Sequence, residues 1–491
     1  MTRHLPTTPD TASTLPRWLG LAGLALLLSG CASLRPPAPA PAPVDTALPT
    51  AWTAAPAAAT ASPADLARWW TRFDDPTLTT LVEQAMLRNT SVQSAQAALA
   101  QARAQRDVQA AQLGPSLGAS ASARRSRASG QDASNNFQAG FDASWEPDLF
   151  GGNRSAANAS EADARAAASN LANVQVSLAA EVAVNLIELR GLQTRLAIAR
   201  SNLAAQTETL QITRWRAQAG LAASLDVEQA VAASEQTAAQ LPALQSGISQ
   251  AMNALAVLTG DAPGALQNQL GAASPIPLAP ADLALAFPTE TLRQRPDVRS
   301  AESRVAAALA RVAVADAARY PSFRLSGSLG LSALTLGGLT NGASVVNSLL
   351  ASLSVPLFDG GASEAQVRAQ EAALDQARVA YRAAVLAALK DVEDTLVSLQ
   401  GNRERLARLQ AASEAAANAE LLARQRFQSG LIDFTTVLST QRTLLSTQDS
   451  VATAQTSLSG DHVRLFKALG GGWTPDADTE SPGGQTPATT R

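Results

Sequence analysis

The chain has 491 residues, of which 46% are hydrophobic, only 4% aromatic and 16% charged, with a formal net charge of -3. Abundant alanine with so few aromatics favours long, closely approaching helices over one thick globular core, and the near-neutral balance gives no electrostatic case for nucleic acid as a partner. A single cysteine excludes an intramolecular disulfide, and two histidines leave little from which to build a metal centre.

Arg3 and Arg17 precede the apolar run Trp18–Gly30, which has the length of a signal-peptide core and is too short to span a membrane. Residues 1–30 therefore read as a leader. Leu28-Ser29-Gly30-Cys31 resembles the lipobox of bacterial lipoproteins, in which the cysteine is acylated and becomes the mature N-terminus. Cys31 is the expected lipidation site, and several acyl chains on one residue give stable anchoring. Ala32 follows it where an aspartate would change the sorting, which by the same resemblance favours the outer membrane. Residues 31–64 continue as a Pro/Ala-rich, nearly uncharged linker.

Residues 65–260 form a first repeat. Apolar residues at helical spacing begin near Asp65, with Trp69, Trp70 and Phe73 as a packing cluster and Asp74 and Asp75 as caps for a helix starting at Pro76. A helix over Ser91–Leu113 ends at Gly114-Pro115. The period then changes to two: Leu117, Ala119, Ala121 and Ala123 alternate with polar or small residues, as do Phe137, Ala139, Phe141, Ala143 and Trp145, which predicts two strands around a loop at Arg124–Asn136. No proline occurs from Asn153 to Ala219, a run long enough for a helix of roughly 100 Å. Leu189, Leu196, Leu203 and Leu210 recur every seven residues along it, the pattern of left-handed supercoiling. The chain reverses at Gly220-Leu221 and returns as a helix over Ser224–Leu258.

A Gly/Pro connector over residues 261–280 leads to a second repeat, residues 281–470. It has strands at Ser322–Ser332 and Ser348–Phe358, a loop at Thr335–Asn347, a second proline-free helix, a reversal at Gly430-Leu431 and a return over Asp433–Leu469. Val92 answers to Val298 and Pro115 to Pro321, both 206 positions on; Leu149 answers to Leu357 and Gly220 to Gly430, at 208 and 210. A displacement this constant means duplication. Residues 471–491 read as a disordered tail.

Each strand has nearly the length that crosses an outer membrane at a tilt, roughly ten residues. A water-soluble hairpin has the same period, and the lipid anchor favours the membrane. Four strands cannot close a barrel, and an open edge in lipid leaves backbone groups unsatisfied. Bacterial barrels start at about eight strands, so oligomerisation is implied, and a trimer would supply twelve.

The segments WWTRFDDPTLTTLVEQAMLRN, WEPDLFGG, RAQAGLAASLDV, TLRQRPDVRSAE, SVPLFDGG and RFQSGLIDFTTVL stand in the order of the outer membrane factors. The chain resembles that family, the TolC-like, NodT-type efflux lipoproteins. The resemblance implies a mainly α fold with membrane β-structure: a homotrimer with a twelve-stranded barrel in outer-membrane lipid and a coiled-coil α-helical tunnel in the periplasm. It implies a passive duct whose partners are a periplasmic adaptor and an inner-membrane efflux pump. Gly220, Leu221, Gly430 and Leu431 would lie at the periplasmic tip, the two leucines facing the adaptor. Family members narrow that tip with aspartates on the returning helices. Asp226 and Glu228 stand there in the first repeat, Thr436 and Ser439 match the family aspartates in the second, and Asp433 lies nearer the turn. For Asp226, pore constriction and helix-start capping are both open. An exit duct for protein secretion shares the fold, and a periplasmic coiled-coil adaptor or structural lipoprotein would share the heptads but needs neither strands nor duplication. No nucleophile–base pair, phosphate loop or metal cluster can be assembled, so neither enzyme activity nor a cofactor is expected.

Overall fold

A computed structural model describes residues 52–53, 66–127, 129–130, 132–279 and 292–474. The leader, Cys31, nearly all of the linker and the last seventeen positions of the tail lie outside the described residues. Among those described, the elements in order are α1 (Pro76–Arg88), α2 (Thr90–Ala111), β1 (Ser116–Ser126), β2 (Ser134–Trp145), α3 (Gly152–Gln218), α4 (Ser224–Ala238), α5 (Gln240–Leu258), the single turn α6 (Gln267–Leu270), α7 (Pro296–Ala317), β3 (Ser322–Ala333), β4 (Val345–Ser354), α8 (Ala362–Gln428) and α9 (Phe434–Ala468). A 3₁₀ turn, Trp69–Phe73, precedes α1. Two compact units result, and each draws on both repeats: residues 110–156 with 309–371, and a helical unit from the remainder of the described chain.

The first unit is built on one antiparallel sheet in the order β1-β2-β3-β4. Its registers pair odd positions with odd, such as Ala119 with Phe141, Phe141 with Leu329 and Leu325 with Ala351. Because side chains alternate across a strand, one face carries Leu117, Phe141, Trp145, Leu329, Leu349 and Leu353, all exposed. The other face carries serines, with Ser116 bonded to Ser144 at 2.9 Å and Ser328 to Ser348 at 2.8 Å. An exposed sheet that is apolar on one face and hydroxylated on the other is what a lipid-facing barrel wall requires. Glycine is needed at one rung of the β2–β3 pair, where a Cβ on Gly140 would meet the Gly330 Cα at 2.7 Å. Below the strands Phe150 stacks on Tyr320 at 5.0 Å between ring centres.

Two strand boundaries differ from the sequence reading. β4 covers Val345–Ser354 rather than Ser348–Phe358; Pro356, which cannot donate to a ladder, leaves Leu357 and Phe358 beyond the strand. The first hairpin loop is shorter than Arg124–Asn136, because β1 and β2 stay paired up to Ser126 opposite Ser134.

The helical unit has its main core where the short helices meet the long ones. Trp69 stacks on Phe466 with ring centres 5.2 Å apart, and Phe73 meets the same ring edge-on at 6.3 Å. Leu78, Leu186, Leu189, Leu255, Val392 and Leu465 fill the surrounding space. Asp75 caps α1, its Oδ1 accepting from the Thr77 and Leu78 amides at 2.8 and 3.1 Å. The connector lies on α3: buried Arg190 donates to the Ala272 carbonyl and Gln193 to the Leu270 carbonyl, each at 2.8 Å, and Ser459 of α9 donates to the Pro277 carbonyl. Burial pulls the Arg190 guanidinium below its usual range. The start of the expected tail is packed: the Gly472 amide donates to the Leu66 carbonyl at 2.9 Å and the Trp473 ring nitrogen to the Gln294 carbonyl at 3.1 Å.

The first returning limb is not one helix over Ser224–Leu258 but two, α4 and α5, divided at Ala239. Pro242 explains the break. It has no N–H for the carbonyl four residues earlier, that of Ala238, and its ring clashes with that carbonyl. The second limb, α9, runs unbroken for 35 residues.

Candidate functional site

The helical unit turns twice in the same way. α3 ends with the Gly220 amide donating to the Ala217 carbonyl at 3.0 Å and the Leu221 amide to the Arg216 carbonyl at 2.7 Å; α8 ends with Gly430 on Phe427 at 3.0 Å and Leu431 on Arg426 at 2.9 Å. These are Schellman closures, which need a left-handed residue just past the helix. Gly220 and Gly430 both have φ of 75°. No atom lies within 4 Å of a Cβ built on either, so the backbone angle alone calls for glycine. Leu221 and Leu431 then point outward, 71% and 73% exposed. Two large apolar side chains held out by rigid turns can serve as contacts for another protein.

The residues after each turn act first as caps. In the first repeat the Asp226 carboxylate accepts from the Ala223 amide at 3.2 Å. In the second, Asp433 Oδ1 accepts from the Thr436 amide at 2.9 Å and from its hydroxyl at 2.5 Å. These bonds, led by that of the Thr436 hydroxyl, hold the Asp433 carboxyl below the ordinary carboxylate range. Thr436 thus belongs to the cap. Glu228 and Ser439 are exposed on the returning helices, and among the described residues neither bonds to the capping groups.

The residue that ties the two turns together was not singled out from the sequence. Arg216 donates to the Phe427 carbonyl at 3.0 Å, and its guanidinium lies 4.5 Å from the centre of the Phe427 ring. A cation at the last carbonyls of α8 also complements the helix dipole. Phe427, Phe434, Leu210 and Val437 form a small core beneath it. Further along the helices polar pairs fix the register of α3 against α9: Thr209 with Gln441 at 2.9 Å, Asn202 with Gln448 at 2.8 Å and Arg195 with Asp449 at 2.6 Å. The only cue to these in the sequence is that Asn202, Gln206, Thr209 and Thr213 line one stripe of α3. Among the described residues no group of three or more His, Cys, Asp or Glu could hold a metal.

A sheet with one lipid-suited face, joined in sequence to helices of 67 residues that reverse at paired turns, defines an outer-membrane channel protein with a helical tunnel. The model of the outer membrane efflux protein family matches residues 81–261 and 287–471, and the chain belongs to that family. The pyoverdine export outer membrane protein OpmQ of Pseudomonas aeruginosa is 33% identical over 93% of this chain and 97% of its own length. Outer membrane protein OprJ of the same organism is 30% identical over 92% and 95%. Among solved structures, the outer-membrane channel OprN superposes with a TM-score of 0.82 at 36% identity, covering 87% of this chain and 97% of its own. The open state of the Neisseria gonorrhoeae MtrE channel gives 0.79 at 28%, over 89% and 98%. The match extends through both repeats, so the protein is an outer-membrane efflux channel by family and by fold.

Proposed function

We propose that the protein is the trimeric exit duct of a tripartite efflux system, passing small molecules from an inner-membrane pump and a periplasmic adaptor to the exterior. The observation that carries this reading is the sheet: four strands with an apolar face, and no strand partner at either edge among the described residues. Such edges need closure in lipid, and three copies supply twelve strands, above the minimum of about eight. The related proteins bear names for the export of chemically diverse small compounds, pyoverdine and toluene among them, which supports a passive route open to more than one cargo. Residues 1–30 are removed, Cys31 carries the lipid, residues 31–64 tether the body, and residues 261–280 link the repeats 65–260 and 281–470, with residues 471–491 beyond them.

Leu221 and Leu431 face the adaptor, and Asp226, Glu228 and Asp433 give the entrance a negative field when repeated three times. Leu431→Asp tests the docking role. Export is expected to fall at least tenfold while detergent-extracted trimers persist, and unchanged export with normal protein levels would contradict contact at that turn. A protein-secretion duct remains the second reading, since the same fold serves it; accumulation of a small dye in cells lacking the gene separates the two.

A further inference from the structure

The apolar face of the sheet carries one charge. Its residues are the odd-numbered strand positions, and all of these are uncharged except Arg125 of β1. Arg125 lies opposite Asn135 of β2, one rung from the end of that ladder at Ser126 and Ser134. Arg125 is exposed, as is Arg127 just past the strand, and among the described residues neither guanidinium meets a carboxylate. Asp132, the acid described in that loop, is also exposed and pairs with neither. The duplication shows that the charge is not a general requirement of a strand end. Counterparts 206 positions on are Gly330 for Arg124 and Leu331 for Arg125, and the second hairpin loop, residues 334–344, has no charged residue.

Depth explains why lipid tolerates an arginine there. α2, α3, α7 and α8 all join the sheet at one end, the periplasmic one, and the hairpin loop beyond Arg125 lies at the other. Trp145 marks the inner end of the same face. It is 40% exposed, and its ring nitrogen donates to the Leu113 carbonyl at 3.1 Å, as suits the aromatic girdle of a membrane barrel. From Trp145 up to Asn135, the neighbour of Arg125, β2 climbs ten positions, about 34 Å of strand. A tilt of about 40° reduces this to about 25 Å, the height of a barrel's apolar band. Arg125 therefore sits at the outer border of the hydrocarbon, where a cation costs far less than at the midplane. Its long stem carries the guanidinium into the headgroup layer. The anions of that layer are phosphates, which a planar guanidinium binds through two parallel N–H donors. We infer that Arg125, with Arg127 beside it, binds the phosphate groups of an outer-leaflet lipid and so fixes the height of the barrel against Trp145 at the inner border. This goes beyond the duct reading and rests on its outer-membrane placement alone.

Lipid titration tests the assignment. Protein extracted from outer membranes in detergent and delipidated is titrated with lipid A, a phosphorylated glycolipid, and with the same lipid stripped of its phosphates, and bound lipid is counted by native mass spectrometry. Wild type is expected to bind lipid A about tenfold more tightly than Arg125→Leu does, and to lose that advantage when the phosphates are removed. Leucine is the second repeat's own residue at this position, so the variant should keep the wild-type thermal midpoint. Arg124→Leu, on the polar face, should bind lipid A as wild type does. Equal affinity of wild type and Arg125→Leu for lipid A, or of wild type for the two lipids, would overturn the proposal. Full competition by inorganic phosphate would overturn it as well, marking a site for the free ion. A protein absent from outer membranes would instead remove the placement on which it rests.

Discussion

The two helical hairpins have the same outgoing limb and different returns. α3 and α8 are both 67 residues long and close with the same glycine geometry. Their caps then differ. At the position where the first repeat has Ala223 the second has Asp433, and where the first has Asp226 the second has Thr436. A full capping box uses side chains at both positions; each hairpin keeps one half. The acid has moved from the third helical residue to the cap, and each turn still presents a carboxylate. What looks in a residue-by-residue match like a lost aspartate at Thr436 is a relocated one. Beyond the caps the limbs part further: Pro242 divides the first, and its counterpart in the second is the buried Ala452. The unbroken limb carries Gln441, Gln448 and Asp449, the partners that fix α3. The duplication thus preserved the turn and divided the labour of the returns, one limb pinned and one jointed.

That division can be broken at chosen points. The largest effect is expected at Phe466, which fills the core where its counterpart is the small Ala256. Phe466→Ala should cost about 3–5 kcal/mol, read as a lowered thermal midpoint in detergent, and a loss under about 1 kcal/mol would mean that the Trp69 stack is dispensable. Ala452→Pro should transfer the joint to the second limb at a cost of about 3 kcal/mol. It disrupts the carbonyl of Gln448 and with it the Asn202 pair. Pro242→Ala in the first limb should raise helix content by circular dichroism without loss of stability. Gly220→Ala and Gly430→Ala should cost the same, about 1 kcal/mol each, because φ is identical and space is open at both. A large difference between them in denaturant midpoints would show that the turns are not equivalent. The smallest effect concerns Asp433. Its carboxyl titrates below the ordinary value, so the stability it confers is present above about pH 3.8 and is lost as the pH falls through the lower folded value. The stability gap between wild type and Asp433→Asn should therefore persist at pH 4 and close only under stronger acid.

Much of this architecture was legible in the sequence because it rests on short-range rules. Period-two alternation at Phe137–Trp145, the proline-free runs and the Gly-Leu reversals each report a local backbone preference, and two copies of each made the reading firm. Asp75 likewise announced a cap, whereas the capping role of Asp433 emerged only with the structure. Pro242 was equally visible inside the expected return helix Ser224–Leu258, and the local rule it carries prevailed. What could not be read were partners far apart in the chain: Arg190 with the connector carbonyls, Arg216 with Phe427, and Asn202 with Gln448. Each is a side chain satisfied by a group that only the tertiary fold delivers. The strand edges fell between these cases, since Pro356 set the end of β4 locally while the far end depended on a partner strand.

The most direct test of the account is the native mass of the wild-type protein extracted by mild detergent from purified outer membranes. A species of three chains, whose membrane attachment but not its stoichiometry weakens when Cys31 is replaced, is the predicted result. A stable monomer, or absence from the outer-membrane fraction, would leave four strands with open edges in lipid and contradict the shared barrel on which the duct depends.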